Sequence, residues 1–174
     1  MKSYLDSIKN RFKSYKSLGE KTFDQVPGDK LFWQINEGSN SIAIIVKHLH
    51  GNMLSRWTDF LTSDGKKEWR KRDDEFVDNI KSKDELLTIW NEGWDCLFEA
   101  INPLTEIDLD KEVLIRNEKH SVVDAINRQL SHYAYHIGQI VFIGKMINNE
   151  EWNSLSIPKG KSKEYNKEKF SKKV

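Results

Sequence analysis

Five histidines stand at His48, His50, His120, His132 and His136. The last two, in Ser131-His132-Tyr133-Ala134-Tyr135-His136, are four residues apart. On an α-helix that spacing turns their directions by about 40° and sets one imidazole a turn above the other. Two neutral imidazoles so placed can share one metal ion, as in the helical zinc motif His-Glu-x-x-His. No Glu follows His132, so metalloprotease chemistry of that type is not supported. A third ligand has to come from elsewhere. His48-Leu49-His50 offers one imidazole only, because residues two apart on a helix point about 200° apart. Both flank an apolar stripe centred near Ile45 and Leu49, and periodicity hardly separates them. His48, on one face with Ile44, Ile45 and Asn52, is the preferred ligand; His50, beside Trp57 and Leu61, reads as packing or surface. His120 reads as a loop or cap-region residue.

The elements that must position these groups follow from apolar spacing at three and four residues. A first helix spans roughly Tyr4 to Leu18 on Leu5, Ile8, Phe12 and Tyr15, with Gly19 as its C-terminal stop. A second opens at Ser39-Asn40-Ser41 and runs from Ile42 to about Leu61. A third starts at Ser82, with Glu85 completing a capping-box pattern, and ends at Pro103. The fourth begins at Ser121 with Asp124 in its first turn and carries apolar residues to Ile147. His132 and His136 fall on the edge of its inward stripe of Ile126, Gln129, Tyr133 and Ile137. An inward histidine needs a partner, because an unsatisfied buried polar group costs roughly 1–3 kcal/mol. The connections, about 20–38, 62–81 and 104–120, are long, and loops of that length are usually functional or hide short elements. Lys30 to Ile35 and Lys111 to Arg116 are candidate short extended pieces. The predicted fold is all-α, a four-helix bundle with long crossover loops.

Composition narrows the function classes. The 174 residues carry 28 Lys+Arg against 27 Asp+Glu, a net charge of +1, with 37% apolar and 11% aromatic residues. Near-neutrality argues against a nucleic-acid partner, since counterion release needs an unopposed basic face. The longest apolar run, Ile42 to Val46, is far short of the roughly 20 residues a membrane helix needs. The opening MKSYLDSIKNRF lacks a secretory apolar stretch, and the single Cys96 cannot form an internal disulfide. A cytoplasmic protein is expected, without nucleic-acid or membrane partners. The chain divides into a body, 1–157, and a basic tail, 158–174, with seven Lys against two Glu. The tail's excess of five positive charges leaves −4 on the body, and it is expected to be a solvated, partly disordered end.

A histidine in the second helix, in Val46-Lys47-His48-Leu49, together with His132-x-x-x-His136-x-x-Gln139, resembles the DinB/YfiT-like superfamily of small four-helix metal proteins. The stretch from Ser55-Arg56-Trp57 through Asp64-Gly65 to Trp69-Arg70 and Arg72-Asp73-Asp74-Glu75-Phe76 resembles a bacterial, largely uncharacterised branch of it. The likeness covers nearly the whole chain, to Ser156-Ile157-Pro158. It implies His48, His132 and His136 as metal ligands, and so breaks the tie with His50. It also implies thiol-dependent transferase activity, with a low-molecular-weight thiol such as bacillithiol and an electrophilic small molecule as partners.

Three imidazoles leave a divalent ion an open position, as catalytic zinc sites do. Imidazole ligation suits Zn, Ni, Fe and Cu alike. Such an ion lowers the pKa of bound water or deprotonates a thiol. The competing expectation is a non-catalytic, stress-linked interaction protein in which the ion is structural, because no Asp, Glu or Ser stands in a general-base motif. Gln129, Tyr133, Asn52 and Asp59 are candidates to orient the imidazoles. Cys96, in an aromatic-rich helix, reads as a buried, inert thiol. Arg56, Trp69, Arg70, Arg72, Asp73 and Asp74 read as a solvated ion-pair surface with some capacity to recognise a ligand. Most Trp and Phe of the second and third helices are expected in the core, with surplus aromatic surface fitted to a homodimer.

Overall fold

Three serines start three of the long helices. In the computed structural model, which describes residues 2–171, the hydroxyls of Ser41, Ser82 and Ser121 accept the backbone N–H of Ile44, Glu85 and Asp124, each at 3.1 Å. They cap α2 (Ile42–Trp57), α3 (Lys83–Ile101) and α4 (Val122–Asn148). At α3 the returning Glu85 carboxylate accepts the N–H of Lys81 rather than that of Ser82. The first helix, α1, runs Lys2–Gln25, seven residues beyond the expected end. Gly19 does not stop it, because the apolar spacing continues through the buried Thr22, Phe23 and Val26. The missing side chain at Gly19 admits the Trp90 ring of α3: a Cβ there would lie 2.5 Å from two ring carbons. At its other limit α2 ends at Trp57, not near Leu61, and Asp59 takes φ 51 in the turn beyond.

The helices meet in the cyclic order α1, α4, α2, α3. This all-α bundle therefore has α1 and α2 on one diagonal and α3 and α4 on the other, so the chain must cross the bundle twice. Those crossings account for two of the long connections. The first contains a short 3-10 turn, Gly28–Phe32, that buries Leu31; the extended piece expected at Lys30 to Ile35 is not there. The second carries a two-stranded antiparallel hairpin, β1 (Glu112–Ile115) and β2 (Glu118–Ser121). It confirms the piece expected at Lys111 to Arg116 and adds a partner strand that includes His120. Within the tail, residues Ser162–Ser171 form an exposed helix, α5, in keeping with the solvated end expected; Lys172 to Val174 lie outside the described residues. No helix among the described residues is long and apolar enough to cross a membrane.

One aromatic residue from each long helix meets at the centre: Phe12, Trp57, Trp94 and Tyr133, none more than 2% exposed. Phe12 lies 6.2, 6.5 and 5.8 Å from the other three rings, and Trp94 lies 5.9 Å from Tyr133. Such pairs each add about 0.5–1.5 kcal/mol beyond their area burial. The Tyr133 hydroxyl accepts from Trp57 Nε1 at 2.9 Å and donates to Asn52 Oδ1 at 3.1 Å. These bonds fix the rotation of α4 against α2, and with it the direction in which His132, the next residue, points.

Candidate metal centre

Rotation of α2 and α4 about that aromatic centre brings His48, His132 and His136 together. His132 Nε2 lies 3.2 Å from His48 Nε2 and 3.1 Å from His136 Nε2, and one ligand atom from each ring falls within 4.8 Å of the others. Nitrogens bound at about 2.0–2.1 Å to a tetrahedral ion stand roughly 3.3 Å apart. Two of the three separations match that spacing, so the cluster could hold a metal ion.

The proton positions point the same way. His48 Nδ1 is 2.9 Å from Glu75 Oε2, and Glu75 is itself held bidentate by Arg70, Nε to Oε1 at 2.7 Å and Nη2 to Oε2 at 2.9 Å. Burial raises the Glu75 pKa, but the hydrogen bonds from His48 and Arg70 outweigh it and hold the carboxyl below its ordinary value. An ionised carboxylate only accepts, so Nδ1 of His48 carries a proton, and in the neutral ring Nε2 is left with the lone pair that faces the cluster. His136 Nδ1 donates likewise to Gln139 Oε1 at 2.9 Å. Nε2 of His132 thus faces two lone pairs, and one proton satisfies only one of the two contacts. A cation satisfies all three. Buried Nδ1 of His132 and Oε1 of Gln129 have no partner. A carboxylate or carbonyl behind a metal-ligating imidazole is the usual supporting arrangement.

Glu75 reaches His48 from a 3-10 turn, Asp73–Phe76, in the loop between α2 and α3. Lys47 ties that loop to α2 by donating to the Asp74 and Val77 carbonyls and to Asn79 Oδ1. Phe76 stacks on the His48 ring at 5.1 Å. Gly51, one turn after His48, leaves the space for the carboxylate: a Cβ there would meet Glu75 Oε1 at 2.3 Å.

Burial, then the neighbouring His136 and His48, push His132 down to about 3. Burial and His48 take His136 down to about 4, against the raising contact with Gln139. Both rings are therefore neutral at pH 7, as ligands must be. The unfolded chain binds protons on these rings from the ordinary value of 6.5 downward, whereas the folded protein does so only near 4 and 3. Stability of the metal-free protein should fall as pH drops from 6.5 towards 4, by roughly 2–4 kcal/mol once the solvent access of both rings is allowed for. Urea denaturation across pH 7 to 4 measures this. A flat profile, or the same slope in the His132→Asn, His136→Asn double variant, would contradict the neutral assignment.

The histidines open onto a cavity of about 490 Å³, also lined by Asn52, Gln129 and Gln139. Among the residues expected to orient the imidazoles, Asn52 and Gln129 line this cavity, and Tyr133 braces it from the core. Asp59 does not belong to it: it sits beyond the C-terminal end of α2 with Thr58, Cys96 and Glu99. His50 pairs instead with Glu92 of α3, and His120 with Asp124. Cys96 faces Thr58, and its burial pushes the thiol up. Arg56, Arg70 and Arg72 line the cavity; Arg56 is buried and Arg70 partly so, whereas Arg72 is exposed, as are Trp69, Asp73 and Asp74 at the edge of the loop. Glu75 and Gln139 stand in the stretches that carry the family resemblance, but neither was expected to orient an imidazole. Gln139, three residues after His136 on the same face, carried a readable signal; Glu75, in an acidic run, carried none.

The family model described as Protein of unknown function (DUF1572) matches residues 1–161, which takes in every residue of the cluster and stops short of α5. No curated protein and no solved structure matches the chain.

Proposed function

We propose, for a chain that belongs to the DUF1572 family of proteins of unknown function, that it is a divalent-metal-binding protein whose three-histidine centre serves a thiol S-transferase reaction. The carrying observation is the convergence of three imidazole nitrogens, two of them on rings whose Nδ1 meets an acceptor, at the wall of an open cavity. His48, His132 and His136 would hold the ion, with Zn, Ni or Fe suited to imidazole. The likeness of His48 and His132-x-x-x-His136 to the DinB/YfiT-like superfamily supports the same ligand set.

Against the structural-ion alternative, no fourth His, Cys, Asp or Glu joins the three among the described residues, which favours an open coordination position over a closed one. When bound, the ion would supply a Lewis acid able to hold a small thiol as thiolate at neutral pH. The chain's part is to aim the ligands through Glu75 and Gln139 and to cover one side of the His48 ring with Phe76. An adjoining cavity of about 570 Å³, which shares Asn40 and Gln139 with the first and is lined by Trp33, Ile35, Phe142 and Met146, suits an apolar electrophile. In the reaction the thiol sulfur forms a bond to the electrophilic carbon, the leaving group departs with its electron pair, and the thiol proton goes to solvent.

Zinc-loaded protein is expected to conjugate a bacillithiol-type thiol to monochlorobimane at least about tenfold faster than buffer, and His132→Ala to return the rate to background. Equal rates for the two proteins, with zinc retained in the wild type, would overturn the transferase reading.

A further inference from the structure

Five arginines, Arg56, Arg70, Arg72, Arg116 and Arg128, line the cavity that holds the histidines, and no Asp or Glu is among its lining residues. Glu75 neutralises Arg70 from behind. Among the described residues no carboxylate pairs with the other four. A chain of net charge +1 thus gathers five arginines on the wall of one cavity, with Glu75 behind Arg70 and Asp64 near Arg56 as their carboxylate neighbours.

Two of them are placed at a cost to stability. Arg56 is only 7% exposed; one Nη donates to the Gly65 carbonyl, and its buried Nε has no partner. Burial, with the nearby charges of Arg70, Arg116 and Arg128, pushes its pKa down to about 10. Asp64 lies near enough to interact with Arg56 but does not pair with it, and a buried charge without a paired counter-charge is expensive unless an anion arrives to meet it. Arg116 occupies the first position of the two-residue turn between β1 and β2, where φ is 56 for Arg116 and 62 for Asn117. That turn favours Asn or Gly at both positions. Asn117 suits it, whereas an arginine there costs roughly 1 kcal/mol. Asp64 holds the strained turn by accepting both backbone N–H groups, at 2.8 and 2.7 Å. Arg128 precedes His132 by four residues on α4, so it shares the face of the two imidazoles. Arg72 lies over the Phe76 ring at 5.1 Å.

We propose that this cavity takes a substrate bearing an anionic oxygen group, a carboxylate or a phosphate, gripped by Arg56, Arg116 and Arg128. The guanidinium fork matches both groups bidentately. Binding offsets the mutual repulsion of the cations that surround Arg56. The inference names the substrate class for the metal-centred cavity and rests on that reading of the cavity as a substrate site.

Calorimetric titration of the full chain, metal-free and zinc-loaded, with succinate, inorganic phosphate and neutral succinamide tests it, with metal content measured on each sample. Succinate or phosphate should bind and succinamide should not, and the tighter of the two names the oxygen group. Arg116→Asn should weaken the anion about tenfold or more, keep its zinc, and melt at or above the wild-type temperature, because Asn fits the turn. Arg128→Gln should weaken the anion likewise. Unchanged anion affinity in both variants, or equal binding of succinamide, would overturn the inference. Arginine-dependent anion binding by a protein that takes up no zinc would uphold it while refuting the metal centre.

Discussion

Replacing His132 by alanine is expected to lower divalent-metal affinity by about 10²–10³-fold. Four-ligand zinc peptides bind with about 10–16 kcal/mol, so one imidazole accounts for roughly 3–4 kcal/mol of that scale. Its Nε2 stands between those of His48 and His136, at 3.2 and 3.1 Å, and without it the remaining two nitrogens offer only a weak chelate. Thermal melts should show the difference directly. Zinc at a hundredfold excess over Kd stabilises the folded chain by about 2.7 kcal/mol, which for a chain of this size raises Tm by roughly 5–10 °C. The rise should appear in the wild type and vanish in His132→Ala. In the metal-free state the variant should be nearly as stable as the wild type, because the ring it removes has a buried Nδ1 with no partner and faces two lone pairs. A zinc-dependent rise of the same size in both proteins, or metal-free His132→Ala protein that fails to fold, would refute this account of the cluster.

The second large effect is expected from Gly51→Ala. On an open helix surface this change would stabilise by about 1 kcal/mol. Here the new methyl would stand 2.3 Å from Glu75 Oε1 and 2.8 Å from its carboxyl carbon, so Glu75 must leave. His48 then loses the acceptor that sets its tautomer, and Arg70 loses its bidentate partner. Disrupting the support behind a ligating imidazole costs 10–100-fold in metal affinity as a rule, and breaking the buried ion pair destabilises by roughly 2–4 kcal/mol net of the helix gain. Gly138→Ala is the control. It lies in α4 with nothing within 4 Å of an added Cβ, and should gain up to about 1 kcal/mol with zinc affinity unchanged. If the two alanine variants bind zinc and melt alike, Glu75 does not support His48.

Helix starts were the most legible part of the fold, because a capping serine acts on its own next turn: Ser41, Ser82 and Ser121 all cap as their neighbours suggest. Helix ends were less so. Gly19 looks like a stop until Trp90 of α3 is packed against it, a contact 71 residues away in the chain. Short elements in the crossings divided evenly: Lys111 to Arg116 alternates as a strand does and is one, while Lys30 to Ile35 follows Pro27 and Gly28 into a 3-10 turn.

For the site, local spacing sufficed to put His132 and His136 on one face of one helix and to show that only one of His48 and His50 could join them. Near-zero net charge, one cysteine and short apolar runs were likewise properties of the sequence alone. The tertiary structure decided the rest, because each remaining question concerned a contact between distant segments. Packing of Tyr133 against Asn52 and Trp57 turns α4 so that its histidines meet His48. The loop between α2 and α3 returns over Gly51 to set Glu75 behind His48, where an acidic run in sequence has no direction. Hairpin, loop and helix together convert arginines that read as a solvated surface into the wall of a cavity, since charge spacing along a chain does not say which side chains face one another once it folds.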